Sequence, residues 1–253
     1  MEENKSNNNW ARGGGDLCSA MEITLEEEAL MQEFAKRVYD LNEEMRNSET
    51  LIRFLRAREC DIEKAEVMLR KSAKWFQEND VRSYRAGFTL PQVLADDYIC
   101  HVLGTDCQGY PVIYVPLGRW NIRDRLKDGY LDATLEGRFY LLEGVIMAAV
   151  RQSTRRQQFV LVVDLAELSF YKVAHMDTIN VVTQIFQDYE DNYPERLKSA
   201  FIINTPWVFP YAFSLVKPWI AAKTLTKVSV LGNRSKWLDT LEVHIPGFSK
   251  YIL

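Results

Sequence analysis

The chain contains the apolar run FVLVVDL, Phe159–Leu165, in which Asp164 is the only polar residue. A run this apolar is typical of a strand that is covered on both faces of a sheet. Two further strand-like runs follow, AFIIN at 200–204 and KVSVLG at 227–232, and a helix predicted from about Met176 to Tyr189 separates the first of them from the central run. Strands that alternate with helices predict an α/β fold with a mostly parallel sheet.

Two more strands are predicted before this run, from YICHVLG at 98–104 and PVIYVPL at 111–117. The polar turn TDCQGY joins them. A long helix is predicted from Asp132, and right-handed crossovers would place the connecting helices on one common face of the sheet. We therefore expect the other face to be available for something else.

The chain divides into three predicted parts. Residues 1–20 are polar and rich in Gly and Asn, which is typical of a disordered tail. Residues 21–90 carry apolar residues at helical spacing and predict an all-α N-terminal subdomain. Residues 91–253 predict the α/β domain.

Helix caps are predicted at three positions of the N-terminal subdomain. Thr24, with Glu27 three residues later, has the pattern of a capping box. Ser48 is predicted to cap the second helix and Asp61 the third. In the third helix, Trp75 is predicted to point away from the face that packs against the other helices.

Charge and cysteine content narrow the class of function. A net charge of −4 does not suggest a nucleic-acid partner. The four cysteines, at positions 18, 60, 100 and 107, form no CxxC pair, so we expect reduced thiols of a cytoplasmic protein and no metal site. No cofactor is predicted, because no glycine-rich turn lies between a strand and a helix.

An enzymatic function is one alternative, and it depends on Asp164. Enzymes with α/β folds place catalytic groups where strands end, but no histidine or nucleophile accompanies Asp164 in a motif. A capping or turn-forming role for Asp164 is therefore favoured. His101, His175 and His244 are scattered along the chain and are interpreted as surface or hydrogen-bonded residues.

The most apolar segment is NTPWVFPYAFSLVKPWIAA at 204–222. This segment is interrupted by Pro210, Lys217 and Pro218, so it is too broken to span a bilayer, which needs roughly 20 apolar residues. We predict a helix that begins at Pro206, with Thr205 as its cap, and that ends at Lys217–Pro218. A helix that is apolar on nearly every side is usually buried in a core.

A resemblance to a known family is carried by three blocks: LIRFLRAREC (51–60), YPERLKSAFIINTPWVFPYAFSLVKPWI (193–220) and LTKVSVLG (225–232). In order and spacing they resemble the Sec fourteen-like phosphatidylinositol transfer members of the CRAL-TRIO lipid-binding family. The resemblance covers the chain from about Leu25 to its end. It implies a sheet floor, a deep apolar pocket for one lipid and a mobile gate helix over the mouth of the pocket.

The same resemblance implies a headgroup site of four side chains. Arg58 and Lys227 would supply positive charge for the phosphate, and Glu195 and Thr224 would orient the inositol. The alternative is that Arg58 and Glu195 form a structural ion pair, while Thr224 and Lys227 cap helices. We favour headgroup binding because the four positions together supply both the charges and the hydrogen-bonding groups that a phosphoinositide headgroup requires.

Residues predicted to line the pocket or gate are Phe159, Leu161, Trp207, Phe209, Phe213, Val216 and Ile220. Three positions at which relatives that bind phosphatidylcholine carry hydroxyl groups are Phe159, Leu161 and Ile113 here. Glu59 also replaces a basic residue near the phosphate. The change at Glu59 removes a cation from the headgroup site. The headgroup residues predict phosphatidylinositol as ligand, and the three apolar positions argue against phosphatidylcholine. A sterol, retinoid or tocopherol-like molecule is the alternative cargo.

The resemblance also implies partners and a location. We expect a non-enzymatic, monomeric carrier that touches membrane surfaces peripherally and transiently, at Golgi, endosomal or other membranes. It would exchange its lipid with a membrane or present it to lipid kinases. A lipid-regulated protein-interaction module is the alternative from a different class.

Overall fold

The computed structural model describes residues 23–86, 89–153 and 157–252. The tail predicted over residues 1–20 lies outside the described residues. The helices are α1 (Leu25–Arg37), α2 (Glu43–Arg46), α3 (Ser48–Ala57), α4 (Ile62–Glu78), α5 (Gln92–Asp97), α6 (Ile122–Lys127), α7 (Leu131–Phe139), a π-helix (Tyr140–Ile146), α8 (Met147–Gln152), α9 (Phe170–Val173), α10 (Met176–Asn192), α11 (Phe209–Val216), α12 (Ala222–Leu225), α13 (Arg234–His244) and α14 (Ser249–Ile252). The strands are β1 (His101–Thr105), β2 (Pro111–Val115), β3 (Phe159–Asp164), β4 (Leu197–Ile203) and β5 (Val228–Gly232).

The strands form one sheet in chain order, from β1 to β5. The first pair is antiparallel and the other three pairs are parallel, which confirms the predicted α/β fold with a mostly parallel sheet. Leu161 stands at the centre of the sheet, opposite Ile113 of β2 and Ala200 of β4. The apolar run FVLVVDL is therefore flanked by a strand on each side.

The two faces of the sheet carry different layers. On one face Val160 and Val162 pack against Trp237 and Leu241 of α13. On the other face the crossover helices, chiefly the π-helix and α10, lie over β3 and β4. The expectation that one face would stay available was wrong, because helix α13 covers it.

The N-terminal helices build a core of their own. Phe34, Val38, Leu55 and Leu69 are completely buried between α1, α3 and α4. This all-helical arrangement agrees with the helical spacing of the first part of the chain.

Two of the three predicted caps are confirmed. Thr24 and Glu27 form the reciprocal capping box of α1, and Asp61 accepts a hydrogen bond from the backbone of the first turn of α4. The prediction for Ser48 was wrong by one residue. Asn47 Oδ1 accepts the hydrogen bond of Thr50 N at 2.8 Å, and Ser48 is already the first helical residue.

The helical region is joined to the sheet region by aromatic packing and by ion pairs. Trp75 points away from the helical core, as predicted, and packs against Phe139, with ring centroids 5.5 Å apart. Arg85 bridges Glu44 of α2 and the buried Glu143 of the π-helix, with 2.7 Å to each carboxylate. The helix predicted from Asp132 thus contains a π segment that presents Glu143 to this bridge.

The apolar segment starts its helix later than predicted. Asn204 adopts a left-handed backbone conformation with φ of 52°, and a turn follows it in which Phe209 N donates to Pro206 O. As a result α11 begins at Phe209 with Val208 as N-cap residue, not at Pro206 with Thr205. The break at Lys217 is confirmed, since a 3₁₀ turn over Lys217–Trp219 separates α11 from α12. No helix among the described residues is long and apolar enough to cross a membrane.

The pair of Glu27 and Arg56 generates a prediction about stability. Arg56 donates from Nε and Nη2 to the two carboxylate oxygens, at 2.6 and 2.8 Å, and these bonds lower the pKa of Glu27 from 4.5 to about 2. A carboxyl group whose folded-state pKa is lowered contributes stability above its unfolded pKa and loses it as the pH falls. We expect Glu27→Gln to lower the free energy of unfolding by about 1–2 kcal/mol at pH 7, with the difference shrinking from pH 4.5 towards pH 2.

Denaturant titrations at pH 7, 5, 4 and 3 measure this effect. Glu33→Gln is the matched control, because Glu33 lies on the same helix and makes an exposed ion pair with Arg37 at 3.4 Å. An exposed pair of this kind contributes about 0–1 kcal/mol. An equal loss at pH 7 and pH 3 for Glu27→Gln would contradict the assigned ion pair.

Candidate functional site

An apolar cavity of about 250 Å³ lies between the sheet and the crossover helices. Its floor comes from alternate residues of the parallel strands, Phe159, Leu161, Val163, Leu197, Ala200 and Ile202. Its walls come from the π-helix, α10 and α11, with Leu142, Ile146, Ile179, Val182, Ile185 and Phe186 among their contacts. The crossover helices therefore cover this face of the sheet without filling it.

Six of the seven residues predicted to line the pocket lie on its wall: Phe159, Leu161, Phe209, Phe213, Val216 and Ile220. Trp207, the seventh, does not line the cavity. Its side chain is 82% exposed and stacks on Phe170, with ring centroids 6.4 Å apart. The late start of α11 explains this, because Trp207 belongs to the turn before the helix.

Helix α11 has two different sides. Phe209, Phe213 and Val216 follow helical spacing and face the cavity, and the first two rings lie 5.4 Å apart. Tyr211 and Ser214 are exposed on the opposite side. The helix contributes no fully buried side chain, so few contacts hold it in place.

A charged cluster lies near one end of the cavity, around Glu195. Lys223 Nζ lies 2.7 Å from Glu195 Oε1, and Lys227 Nζ lies 3.4 Å from Glu195 Oε2. Burial alone would raise the pKa of Glu195, but the hydrogen bond from Lys223 and the charge of Lys227 outweigh burial and lower it. Glu195 also has a left-handed backbone with φ of 59°, which is uncommon for a residue with a side chain.

Thr224 connects this cluster to the cavity. It lines the cavity wall and hydrogen bonds with the Glu190 carboxylate, which also accepts from Ala221 N at 3.3 Å. Burial raises the pKa of Glu190 despite these bonds. The polar end of the cavity therefore contains two acidic residues, of which Glu195 is paired with lysines and Glu190 is not.

Arg58, the fourth predicted headgroup residue, lies apart from the other three. It ends α3 and lines a groove between α4 and α10, and its Nη1 donates to Ala57 O at 3.0 Å. It makes no hydrogen bond or ion pair with Glu195, so the alternative ion pair is not formed. The structure thus brings Glu195, Thr224 and Lys227 together and leaves Arg58 on a neighbouring surface.

Two members of the cluster were missed at the sequence level, Lys223 and Glu190. Lys223 Nζ lies 3.3 Å from Arg56 O as well as bonding to Glu195, so it ties the last turn of α3 to the cluster. Its position four residues before Lys227 was the available signal, since both can then approach one carboxylate. Glu190 gave no signal, because its contact with Thr224 depends on how α10 and α12 pack.

Asp164 lies outside this site. Its carboxylate accepts hydrogen bonds from Tyr114 Oη at 2.7 Å, Ala166 N at 2.8 Å and Asn204 Nδ2 at 3.0 Å. It belongs to the sheet face that α13 covers, opposite the cavity. The hydrogen bond from Ala166 N, two residues later, is the turn contact that was predicted for Asp164. His175 likewise caps α10, with Nδ1 accepting from Thr178 N at 3.3 Å.

Comparisons with known proteins identify relatives of this fold. Residues 95–248 match the CRAL/TRIO domain, and residues 21–71 match the CRAL/TRIO, N-terminal domain. The SEC14 cytosolic factor of Kluyveromyces lactis is 28% identical over 217 residues, which are 82% of this chain and 71% of the relative. The SEC14 cytosolic factor of Eremothecium gossypii is 30% identical over 230 residues, 87% of this chain and 71% of the relative. The crystal structure of Sfh5 has the same fold, with a TM-score of 0.64 at 16% identity, covering 83% of this chain and 82% of that one.

The geometry of α11 generates a prediction about the cavity. Ala212 faces the cavity, and Ala212→Phe would place a ring in the empty space. We expect binding of an apolar fluorescent probe to fall severalfold, while Tm stays the same or rises because the ring fills a void. Ser214→Phe adds the same ring to the exposed side of the helix and is the control. Probe binding by Ala212→Phe at the level of the native chain would show that the probe does not occupy this cavity.

Proposed function

The chain belongs to the CRAL/TRIO family of lipid-binding and lipid-transfer proteins, and we propose that its ligand is phosphatidylinositol, which it exchanges with membranes. The observation that carries this proposal is an apolar cavity whose lining residue Thr224 adjoins a cluster of charged side chains around Glu195. Apolar walls suit acyl chains, and a charged end suits a phosphate ester with a polyol headgroup.

The cavity walls supply the affinity for acyl chains. Each methylene taken from water contributes about 0.8 kcal/mol, so a lipid leaves a bilayer only for an environment that is equally apolar. Leu161, Val182 and Phe213 are typical of the lining, which carries no hydroxyl group on its floor. An all-hydrocarbon floor also supports the prediction against phosphatidylcholine, whose phosphate would meet Phe159 and Leu161 there.

The charged cluster supplies recognition of the headgroup. Lys223 and Lys227 form ion pairs with Glu195. The hydrogen bond from Lys223 to Arg56 O brings the end of α3, which Arg58 follows, towards the same region. Lys223 and Lys227 offset the charges of Glu195 and Glu190, and Arg58 on the neighbouring surface adds a cation for a phosphodiester. In this proposal Arg58 and Lys227 bind the phosphate, Thr224 and Glu195 bind inositol hydroxyls, and Lys223 adds a cation.

Uptake of a two-chain lipid requires α11 to move. A volume of about 250 Å³ is below the usual range of about 300–1,000 Å³ for ligand pockets. Helix α11 is the wall with the fewest anchors, and the 3₁₀ turn that contains Pro218 separates it from α12. We therefore assign α11 as the gate and the turn at Lys217–Trp219 as its hinge.

The outer side of the gate supplies a surface for membrane contact. Trp207, Phe170 and Tyr211 are 82%, 52% and 49% exposed and form a stacked aromatic group beside the cavity. Aromatic rings with one polar edge favour the interface between lipid headgroups and acyl chains. Exchange at a cytosolic membrane surface, and presentation of the lipid to a kinase, complete the proposed function.

Transfer measurements test the headgroup assignment. We expect Arg58→Ala and Lys227→Ala each to lower phosphatidylinositol transfer between vesicles by about tenfold or more, because each removes a charge-assisted hydrogen bond contributing about 1.5–3 kcal/mol. Lys236→Ala removes an exposed lysine on α13, remote from the cavity, and is the matched control. Circular dichroism and Tm establish that the variants fold.

Two results would overturn this assignment. Unchanged phosphatidylinositol transfer by both variants would remove Arg58 and Lys227 from the headgroup site. Mass spectrometry of lipid extracted from the purified chain gives the second test: abundant phosphatidylcholine would contradict the predicted selectivity, and a sterol or retinoid would replace phosphatidylinositol as cargo.

Vesicle sedimentation tests the membrane surface. We expect Trp207→Ala to weaken binding to vesicles by about tenfold, because insertion of a large apolar side chain contributes about 1.5–3 kcal/mol. Tyr39→Ala removes an aromatic side chain that is 75% exposed on the helical region and should bind vesicles normally. Equal binding by both variants would place the membrane surface elsewhere.

A further inference from the structure

The cavity has a second cationic end, formed by Arg123 and Lys172. Both residues line the apolar cavity. Arg123 belongs to α6 and Lys172 to α9, which follow the carboxyl ends of β2 and β3. This is a different place from the cluster of Glu195 and Lys227, which precede the amino ends of β4 and β5.

Strand direction places these two ends far apart. Parallel strands β2 to β5 share one direction, so the amino ends of β4 and β5 lie at one edge of the sheet and the carboxyl ends of β2 and β3 lie at the other. The six residues of β3 span about 20 Å at about 3.3 Å per residue. Apolar side chains line the space between the two edges.

Arg123 is held in place but keeps one unused donor. Its Nη1 donates to Tyr171 O at 2.5 Å, and its guanidinium lies 4.0 Å from the centre of the Tyr171 ring. Within the described part of the chain, its buried Nε has no hydrogen-bond partner. A buried donor without a partner costs about 1–3 kcal/mol, and a ligand oxygen that approached the Nε edge after a small rotation would remove that cost.

Lys172 is anchored by a carbonyl group rather than by an acid. Its Nζ donates to Gly118 O at 2.7 Å. Gly118 packs closely on the loop after β3, and a Cβ on Gly118 would stand 1.9 Å from Ala166 O. This close packing fixes the position of the Gly118 carbonyl group. Burial beside the cavity lowers the pKa of Lys172, while the charges of Glu167 and Asp124 oppose that shift.

The acids near this end are already engaged. Asp124 Oδ1 accepts a hydrogen bond from Tyr171 Oη at 2.8 Å. Glu167 Oε1 forms an ion pair with Arg119 Nε at 3.2 Å. Across the residues that the structure describes, neither Arg123 nor Lys172 forms an ion pair. Two cations without a carboxylate partner thus border an apolar space.

We propose that Arg123 and Lys172 bind the anionic terminus of a single-chain amphiphile, a carboxylate or a phosphate monoester, whose chain lies in the cavity. The fork of a guanidinium matches two oxygens of such a group, and Lys172 adds a second charge. A volume of about 250 Å³ favours one chain over two while α11 stays closed. The proposal rests on the cavity of the proposed function but uses the end that phosphatidylinositol recognition leaves unassigned.

Calorimetry with soluble probes tests this site without membranes. The purified, delipidated full chain would be titrated with decanoate, decyl phosphate and 1-decanol, which differ only in the terminal group. We expect the anionic probes to bind about tenfold more tightly than 1-decanol, as one charge-assisted pair predicts. The comparison of decanoate with decyl phosphate decides between the two anionic groups.

Variants locate the preference. Arg123→Gln and Lys172→Met should lose the tenfold preference for the anionic probes while still binding 1-decanol, which shows that the cavity is intact. Lys127→Met is the matched control, because Lys127 donates to Tyr171 Oη at 2.9 Å but does not line the cavity. It should keep the preference.

Three results would overturn the proposal: equal affinity of the native chain for all three probes, an unchanged preference in both variants, or loss of the preference in Lys227→Ala instead. Vesicle transfer separates this proposal from the proposed function. Phosphatidylinositol transfer without an anionic preference rejects only the second site, and anionic preference without phosphatidylinositol transfer rejects only the proposed ligand.

Discussion

The sheet and helices α10 and α11 enclose an apolar cavity of about 250 Å³. Apolar ligand atoms in this space make the contacts that side chains make in a filled core. The buried ion pair of Asp188 with Arg138, at 2.6 Å, helps to hold α10 in place. A ligand that fills the cavity therefore stabilises the fold, and binding and stability are coupled.

The same constraint explains where the charges stand. An unpaired charge in the middle of the cavity would lose its hydration without compensation, so ionisable groups lie at the two edges of the sheet. Glu195 with its two lysines lies at one edge, and Arg123 with Lys172 lies at the other. A cavity built in this way selects ligands by the pattern of an apolar middle and a polar terminus.

The sequence predicts the layout of this molecule better than its details, for physical reasons. Continuous apolar runs and helical spacing depend on burial alone. Strand β3 at 159–164 follows from such a run, and the mostly parallel sheet follows from strands that alternate with helices. Caps depend on one residue: Asn47 and Ser48 are both good capping residues, and local geometry selected Asn47. The start of α11 depends on the left-handed backbone at Asn204, which no spacing rule predicts. Because the helix starts late, Trp207 lies in the turn before it and does not line the cavity.

The candidate site divides in the same way. Glu195, Thr224 and Lys227 come together because they lie next to the ends of neighbouring strands, and strand order is predictable. Glu190 depends on the packing of α10 against α12, and the sequence does not encode such a long-range contact in any local pattern.

Lys223 shows why the N-terminal helices belong to the site. A phosphate that binds near Glu195 must compete with its carboxylate for Lys223 and Lys227, since both lysines are already paired with it. Any shift of Lys223 acts on its bond to Arg56 O at the end of α3. The side chain of Arg56 is in turn held by Glu27 of α1. In the proposed headgroup site, occupancy would therefore be linked, through one lysine and one bidentate ion pair, to the packing of the helical region.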